Sequence, residues 1–176
     1  MKLYVVRHGQ TEWNAINRVL GRTDMPLNEE GLRQAEELSE KVRDLPVDVI
    51  LASPLKRTLQ TAEAVARVKN LPVVPEQALI ECDFGIYEGV PRDDPDYHKA
   101  RREYFKRYPR GESFMDIAGR VYPLLHRILD QYPGKNVMLV THGGVGRIVE
   151  NYFYDMEPEE FTGFAMKNCE LREYEW

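Results

Sequence analysis

Leu3-Tyr4-Val5-Val6-Arg7-His8-Gly9 decides how this chain folds. Four consecutive apolar residues, β-branched and aromatic, suit a strand covered on both faces, as the strands of a parallel sheet under two helical layers are. The run then stops at an arginine, a histidine and a glycine, which a covered strand does not hold without partners. Far downstream the pattern recurs: Val137-Met138-Leu139-Val140-Thr141 ends in His142-Gly143-Gly144. Two strand ends, each with a histidine followed by glycine, can meet at one point. A histidine beside an arginine at such a point suits chemistry on an anion.

Between these runs the chain alternates strand and helix signals. Asn28 is a candidate N-cap, and Glu29 and Glu30 suit the positive start of a helix over about 28–44. Leu32, Ala35, Leu38 and Val42 form its expected apolar stripe. Val47–Ala52 reads as a second strand. Ser53-Pro54 then reads as the opening of a second helix, with a capping oxygen followed by proline, and Leu55, Leu59, Ala62 and Val65 facing inward. A short strand is expected around Leu71–Val74. Residues 80–111 are mostly aperiodic, with one basic helix at about 96–108. Ser113 and Asp116 resemble a capping box opening a helix that carries Ile117, Val121, Leu124 and Ile128, with a kink expected near Gly119 from Pro123. Asn136–Thr141, a helix over about 144–154 and an edge strand at Cys169–Tyr174, suited to antiparallel pairing, complete the chain. This order predicts a three-layer α/β/α sandwich with a mainly parallel mixed sheet. It also predicts one domain over 1–176, with a lid-like excursion at about 83–112. Ligands of such sheets sit at the carboxyl ends of the strands, where Arg7, His8, Ser53 and His142 all fall.

The bulk properties narrow the partners. With 176 residues, 43% hydrophobic and 30% charged, the chain can bury a sizeable core. A net charge of -5 argues against a nucleic-acid partner. No apolar run approaches the ~18–20 residues of a membrane span. Cys82 and Cys169 form neither a metal motif nor a disulfide framework, so Cys82 reads as a small core residue. A cytoplasmic protein without cofactor or metal, monomeric or homodimeric, is expected.

A phosphate ester needs a nucleophile, cations for its non-bridging oxygens and an acid for its leaving group. His8 suits the nucleophile: neutral imidazole attacks phosphorus and gives a covalent intermediate, provided its other ring nitrogen is pinned. Arg7 and Arg57 suit the clamps, because a guanidinium matches two phosphate oxygens and keeps its charge. His142 suits donation to the phosphoryl oxygens. Gly143 allows close backbone approach.

Arg7-His8-Gly9-Gln10-Thr11-Glu12-Trp13-Asn14 resembles the signature of the histidine phosphatase superfamily, the phosphoglycerate-mutase-like group, in its phosphatase branch. The likeness spans nearly the whole chain. Asp24-Met25-Pro26-Leu27, Ser53-Pro54-Leu55-Lys56-Arg57, Leu79-Ile80-Glu81, Gly111-Glu112-Ser113 and Thr141-His142-Gly143-Gly144 match its further blocks in order. The resemblance implies that His8 is phosphorylated, that Arg7, Arg57 and His142 bind the phosphoryl group, that Glu81 donates the proton, and that Asn14 lines the pocket. Gly21 and Leu20 fall in the neighbouring substrate-binding stretch. Relatives often carry glutamine where this chain has Leu20, which makes the near pocket more apolar. Tyr87 stands where tryptophan is common and is expected to preserve an aromatic wall.

The implied activity is metal-independent hydrolysis of small phosphate monoesters, phosphosugars, phosphoglycerates or ribazole phosphate among them, as a phosphoric monoester hydrolase of the histidine acid phosphatase type. Two alternatives stand beside it: a phosphoglycerate mutase, which the short chain disfavours, and a non-catalytic phosphate-binding regulatory module. Arg92, Lys99, Arg101, Arg102, Lys106, Arg107 and Arg110 concentrate cations in the excursion. They read either as a solvated helix face or as a positive lid that steers anions toward His8. Tyr97, Tyr104, Phe105 and Tyr108 between them are expected to pack that segment down.

Overall fold

A computed structural model describes residues 1–176. Five strands form one sheet in the order β3-β2-β4-β1-β5. They are β1 (Lys2–Arg7), β2 (Val49–Ala52), β3 (Val73–Pro75), β4 (Val137–Thr141) and β5 (Leu171–Glu175). β1, β2, β3 and β4 pair in parallel, whereas β5 runs antiparallel along β1. The sandwich is the one expected: α2 (Glu29–Lys41) and α3 (Lys56–Lys69) cover one face, and α5 (Phe114–Gln131) and α6 (Gly143–Phe153) cover the other. Strand residues alternate between the two sides. Tyr4, Val6, Ile50, Ala52, Met138 and Val140 pack with Leu38, Val42, Ala62 and Val65. Leu3, Val5, Leu51, Val137 and Leu139 pack with Ile117, Val121, Leu124, Val145 and Ile148.

Several boundaries differ from the sequence reading. α3 does not begin at Ser53-Pro54. Its N-cap is Leu55, which makes no side-chain cap bond. The capping oxygen comes from Asp24 instead, which accepts from Lys56 N at 2.7 Å across 32 residues of sequence. Leu32 is 47% exposed and lies off the buried stripe of α2, which runs Gly31, Ala35, Leu38, Ser39. Gly31 sets that rotation, because it presses on the Gln10 backbone so closely that a Cβ would meet its carbonyl oxygen at 2.0 Å. The Asn28 cap holds, accepting from Gly31 N at 2.8 Å. The Ser113–Asp116 capping box is present, and α5 continues without a break through Pro123.

The excursion holds a shorter helix than expected, α4 (Pro95–Arg102), capped by Asp94. Most of its aromatic residues join the core: Phe84, Tyr97 and Tyr108 are buried with ring centroids 5.2–6.3 Å apart and Tyr104 packs against that core, but Phe105, expected to pack down as well, is 65% exposed. Cys82 is fully buried among them, as a small core residue. Two short helices, α1 (Glu12–Ala15) and α7 (Pro158–Gly163), carry no periodic signal. No helix is long and apolar enough to cross a membrane.

Candidate active site

The parallel register of β1 and β4 sets Arg7 opposite Thr141, so His8 and His142 leave the sheet side by side. Their rings lie 5.2 Å apart, edge to face. His8 is 3% exposed, and its Nδ1 lies 2.7 Å from the Gly9 carbonyl oxygen. A carbonyl only accepts, so Nδ1 carries the proton and Nε2 keeps its lone pair. Gly9 N donates to Thr61 Oγ1 at 3.0 Å, and Asn168 Nδ2 donates to the His8 carbonyl at 3.0 Å, so the turn is pinned from two sides. Burial first, then the charges of Arg57 and Arg7, hold the His8 pKa well below the ordinary imidazole value. His8 is therefore neutral at neutral pH, the form that can attack.

His142 is fully buried and uses both ring nitrogens. Arg57 Nε approaches Nδ1 at 3.3 Å, and Ser53 Oγ lies 2.7 Å from Nε2. A guanidinium only donates, so Nδ1 is bare and Nε2–H donates to Ser53. Ser53 is thus a partner of His142 and not a helix cap. The expected donation from His142 to a phosphoryl oxygen needs a proton that Nδ1 does not hold in this arrangement. Burial, then Arg57, pushes the His142 pKa down as well.

Arg57 is fully buried on α3. Its Nη1 donates to the Thr23 carbonyl at 2.9 Å and its Nη2 to the Gly21 carbonyl at 2.6 Å. Gly21, read from sequence as a substrate contact, therefore holds Arg57 from behind and does not line the cleft. It has no room for a side chain, since a Cβ would meet the Cys82 carbonyl oxygen at 2.3 Å. Arg7 does line the cleft. Its Nη1 donates to the Met166 carbonyl, and its Nε is buried without a partner. Burial lowers the pKa of both arginines to about 10, so both stay charged.

Glu81 is 5% exposed, and its carboxylate accepts from Cys82 N at 2.8 Å and from Gly144 N at 3.1 Å, in the first turn of α6. Gly143 lines the cleft, where the nearest atom to a Cβ would be Arg7 Nε at 3.9 Å, and its neighbour Gly144 leaves no room for a side chain, since a Cβ there would meet Glu81 Oε1 at 2.3 Å. Asn14 and Leu20 both line the cleft. Asn14 Oδ1 accepts from Thr11 N and from Asn168 Nδ2, which fixes its orientation.

The narrow cleft holds about 80 Å³ and opens over His8. Its aromatic wall is Phe84, Tyr97, Phe114 and Phe164, while Tyr87 packs behind it on Tyr97 and Tyr108. Of the basic excursion only Arg92 and Arg101 reach the cleft. Arg107 is forked on Asp116 at 2.9 and 2.7 Å, and Lys106 pairs with Glu103 at 3.1 Å. The sequence reading missed Asn168, which no local pattern marks. It also missed Arg147, which its place among Val145, Ile148 and Val149 on the apolar helix α6 could have flagged. No three His, Cys, Asp or Glu side chains are placed to hold a metal ion.

A neutral, pinned histidine ringed by guanidinium groups at the carboxyl ends of a parallel sheet defines a site for phosphoryl chemistry. The model of the histidine phosphatase superfamily (branch 1) matches residues 3–176, and the chain belongs to that superfamily. It is 34% identical to the uncharacterized phosphatase PhoE of Bacillus subtilis (strain 168), over 98% of this chain and 89% of that protein. It is 32% identical to the probable phosphoglycerate mutase GpmB of Yersinia pestis (strain Pestoides F), over 97% and 83% respectively. Among solved structures it resembles the mycobacterial glucosyl-3-phosphoglycerate phosphatase Rv2419c in complex with VO3, with a TM-score of 0.88 and 27% identity over 98% of this chain and 90% of that one.

Proposed function

We propose that the protein is a metal-independent phosphomonoesterase for small phosphorylated metabolites, working through a phosphohistidine at His8. The observation that carries this is the Nδ1–H to Gly9 carbonyl bond on a neutral, buried ring, which leaves the Nε2 lone pair for phosphorus. In the first step Nε2 forms the N–P bond as the P–O bond to the alcohol breaks, and Glu81 passes a proton to the departing oxygen. In the second, water attacks phosphorus, Glu81 takes its proton, and the N–P bond breaks. Arg7, with its unpartnered Nε, holds a non-bridging oxygen, and Arg57 supplies positive charge from behind. His142, neutral between Arg57 and Ser53, would donate to a phosphoryl oxygen only after Nδ1 takes a proton from solvent and Arg57 Nε turns away from it. Asn14 orients the ester at the cleft mouth. Two free thiols suit a reducing cytoplasm.

The likeness to a probable phosphoglycerate mutase favours a second reading, in which the phosphoryl group returns to a bound phosphoglycerate. Single-turnover partitioning separates the two. Phosphoenzyme made from a radiolabelled ester is expected to release inorganic phosphate at a rate that added phosphoglycerate does not change. Transfer of most of the label to phosphoglycerate would establish the mutase instead. A protein that neither hydrolyses esters nor becomes labelled would be the non-catalytic binding module.

A further inference from the structure

Arg57 is held by a turn, and the turn is held by Glu88. Arg57 Nη1 and Nη2 donate to the carbonyls of Thr23 and Gly21. One carboxylate takes the amides of the same two residues. Glu88 accepts from Gly21 N at 2.9 Å through Oε1 and at 3.1 Å through Oε2, and from Thr23 N at 3.1 Å through Oε1. The turn thus carries a carboxylate on its amides and a guanidinium on its carbonyls. Hydrogen bonds with one ionised partner are about twice as strong as neutral ones. The turn is also wedged in place: a Cβ on Gly21 would meet the Cys82 carbonyl oxygen at 2.3 Å, Glu88 Oε2 at 2.7 Å and Phe84 Cδ2 at 2.8 Å.

Glu88 is itself anchored. It lies near the start of the excursion, where residues 89–92 pair with residues 17–19. Gly89 N donates to the Val19 carbonyl at 2.9 Å, Val19 N to the Val90 carbonyl at 2.8 Å, and Arg92 N to the Asn17 carbonyl at 2.9 Å. Gly89 adopts a φ of 80°, and a Cβ there would meet the Trp13 ring at 2.9 Å, so only glycine suits the position next to Glu88. A side-chain amide oxygen could cap the same turn, but a carboxylate adds charge. The bonds of Arg57 all go to neutral groups, the two carbonyls and His142, so the charge of Glu88 reaches it across the turn. Burial favours loss of the Arg57 proton, and Glu88 opposes that loss, second among the carboxylates to Glu81.

We propose that Glu88 is a positioning residue for the phosphoryl site: from the excursion it fixes the Gly21–Thr23 turn, and through the carbonyls of that turn it fixes the guanidinium of Arg57. The excursion then does more than cover the cleft, since its first residues hold one of the charges behind it. This inference rests on the role given to Arg57 at the phosphoryl site.

The test is a double-mutant cycle in kcat/KM on 4-nitrophenyl phosphate. Glu88→Ala is expected to lower kcat/KM by about 10- to 100-fold, the range of a lost charge-assisted contact. Glu88→Gln keeps an acceptor oxygen without the charge and is expected to lose less. In the Arg57→Met background Glu88→Ala is expected to cost less than about 2-fold, because the residue through which it acts is gone. A merely structural role would lower activity by the same factor with or without Arg57. No loss in Glu88→Ala, or a loss that is undiminished in Arg57→Met, overturns the proposal. Should Glu88→Ala fail to fold by circular dichroism, the cycle is run with Glu88→Gln: a loss that vanishes in Arg57→Met supports the proposal, and no loss or an additive one overturns it. Calorimetric binding of inorganic phosphate separates this idea from the hydrolytic one. If the wild type hydrolyses nothing, the hydrolase fails, and the same cycle is read in the Kd for phosphate. Coupling of Glu88 to Arg57 in that Kd supports the positioning role, and additivity or an unchanged Kd overturns it.

Discussion

Arg57 behind the cleft and Arg147 in its wall are both buried cations, but their donors are used in opposite ways. On the floor, Arg57 spends its nitrogens on the Thr23 and Gly21 carbonyls and on His142, and His142 is held in turn by Ser53. Little there can move, which suits groups whose task is to present fixed charge to a phosphoryl group. On the wall, Arg147 keeps two nitrogens without partners, and Arg92 and Arg101 come from an excursion fastened mainly by aromatic packing. The difference separates a set of donors already satisfied by the protein from a set still open to a ligand. A rigid floor would act alike on any ester, whereas donors left free in the wall could meet the rest of the ester.

If that division is right, damage to the floor is blind to the substrate's tail. Arg57→Met is expected to lower kcat by about 10²–10³-fold on every ester tested, the usual loss for one preorganised charge donor. Steady-state kinetics over a panel checks this, and a loss confined to some tails would break the comparison.

A subtler division lies within the floor. Glu81→Gln keeps the shape of the carboxylate but cannot donate a proton, so its cost is expected to follow the leaving group. Alkyl esters are expected to lose about 10²–10⁴-fold, and 4-nitrophenyl phosphate, whose leaving group needs no proton, far less. Equal losses on both would remove Glu81 from the acid's role.

A separate effect is expected on stability. His8 and His142 have pKa values depressed by burial, so the unfolded chain binds protons below about pH 6.5 that the folded one refuses. Stability contributed by keeping them neutral is therefore present above that pH and lost as pH falls through it. The slope is about 1.4 kcal/mol per pH unit for each histidine. Urea unfolding between pH 7 and pH 5 is expected to show this slope in the wild type and about half of it in His142→Asn. A wild type with a flat profile would mean that the histidines are not desolvated as described.

The floor was largely legible in the sequence because its residues sit where covered strands must end. Arg7, His8 and His142 close apolar runs, and period and position alone bring them together. What escaped was whatever depends on distant partners. Asp24 caps α3 from 32 residues away, so the local Ser53-Pro54 signal named the wrong start and hid the bond from His142 to Ser53. Gly31 sets the rotation of α2 through its contact with Gln10, so Leu32 fell outside the core. The crowding of Gly144 was not legible either, because the Glu81 carboxylate that presses on it arrives from an aperiodic segment. The wall was less legible for the same reason. Seven cations in the excursion looked alike in sequence, but ion pairs occupy Arg107 and Lys106 and only Arg92 and Arg101 reach the cleft.

The central claim, that His8 carries the phosphoryl group, is tested most directly by trapping it. Wild-type protein mixed with a radiolabelled ester and quenched within milliseconds is expected to hold an alkali-stable, acid-labile phosphate that peptide mapping places on His8, and His8→Ala is expected to hold none and to turn nothing over. Label on another residue, or turnover that persists in His8→Ala, would contradict it.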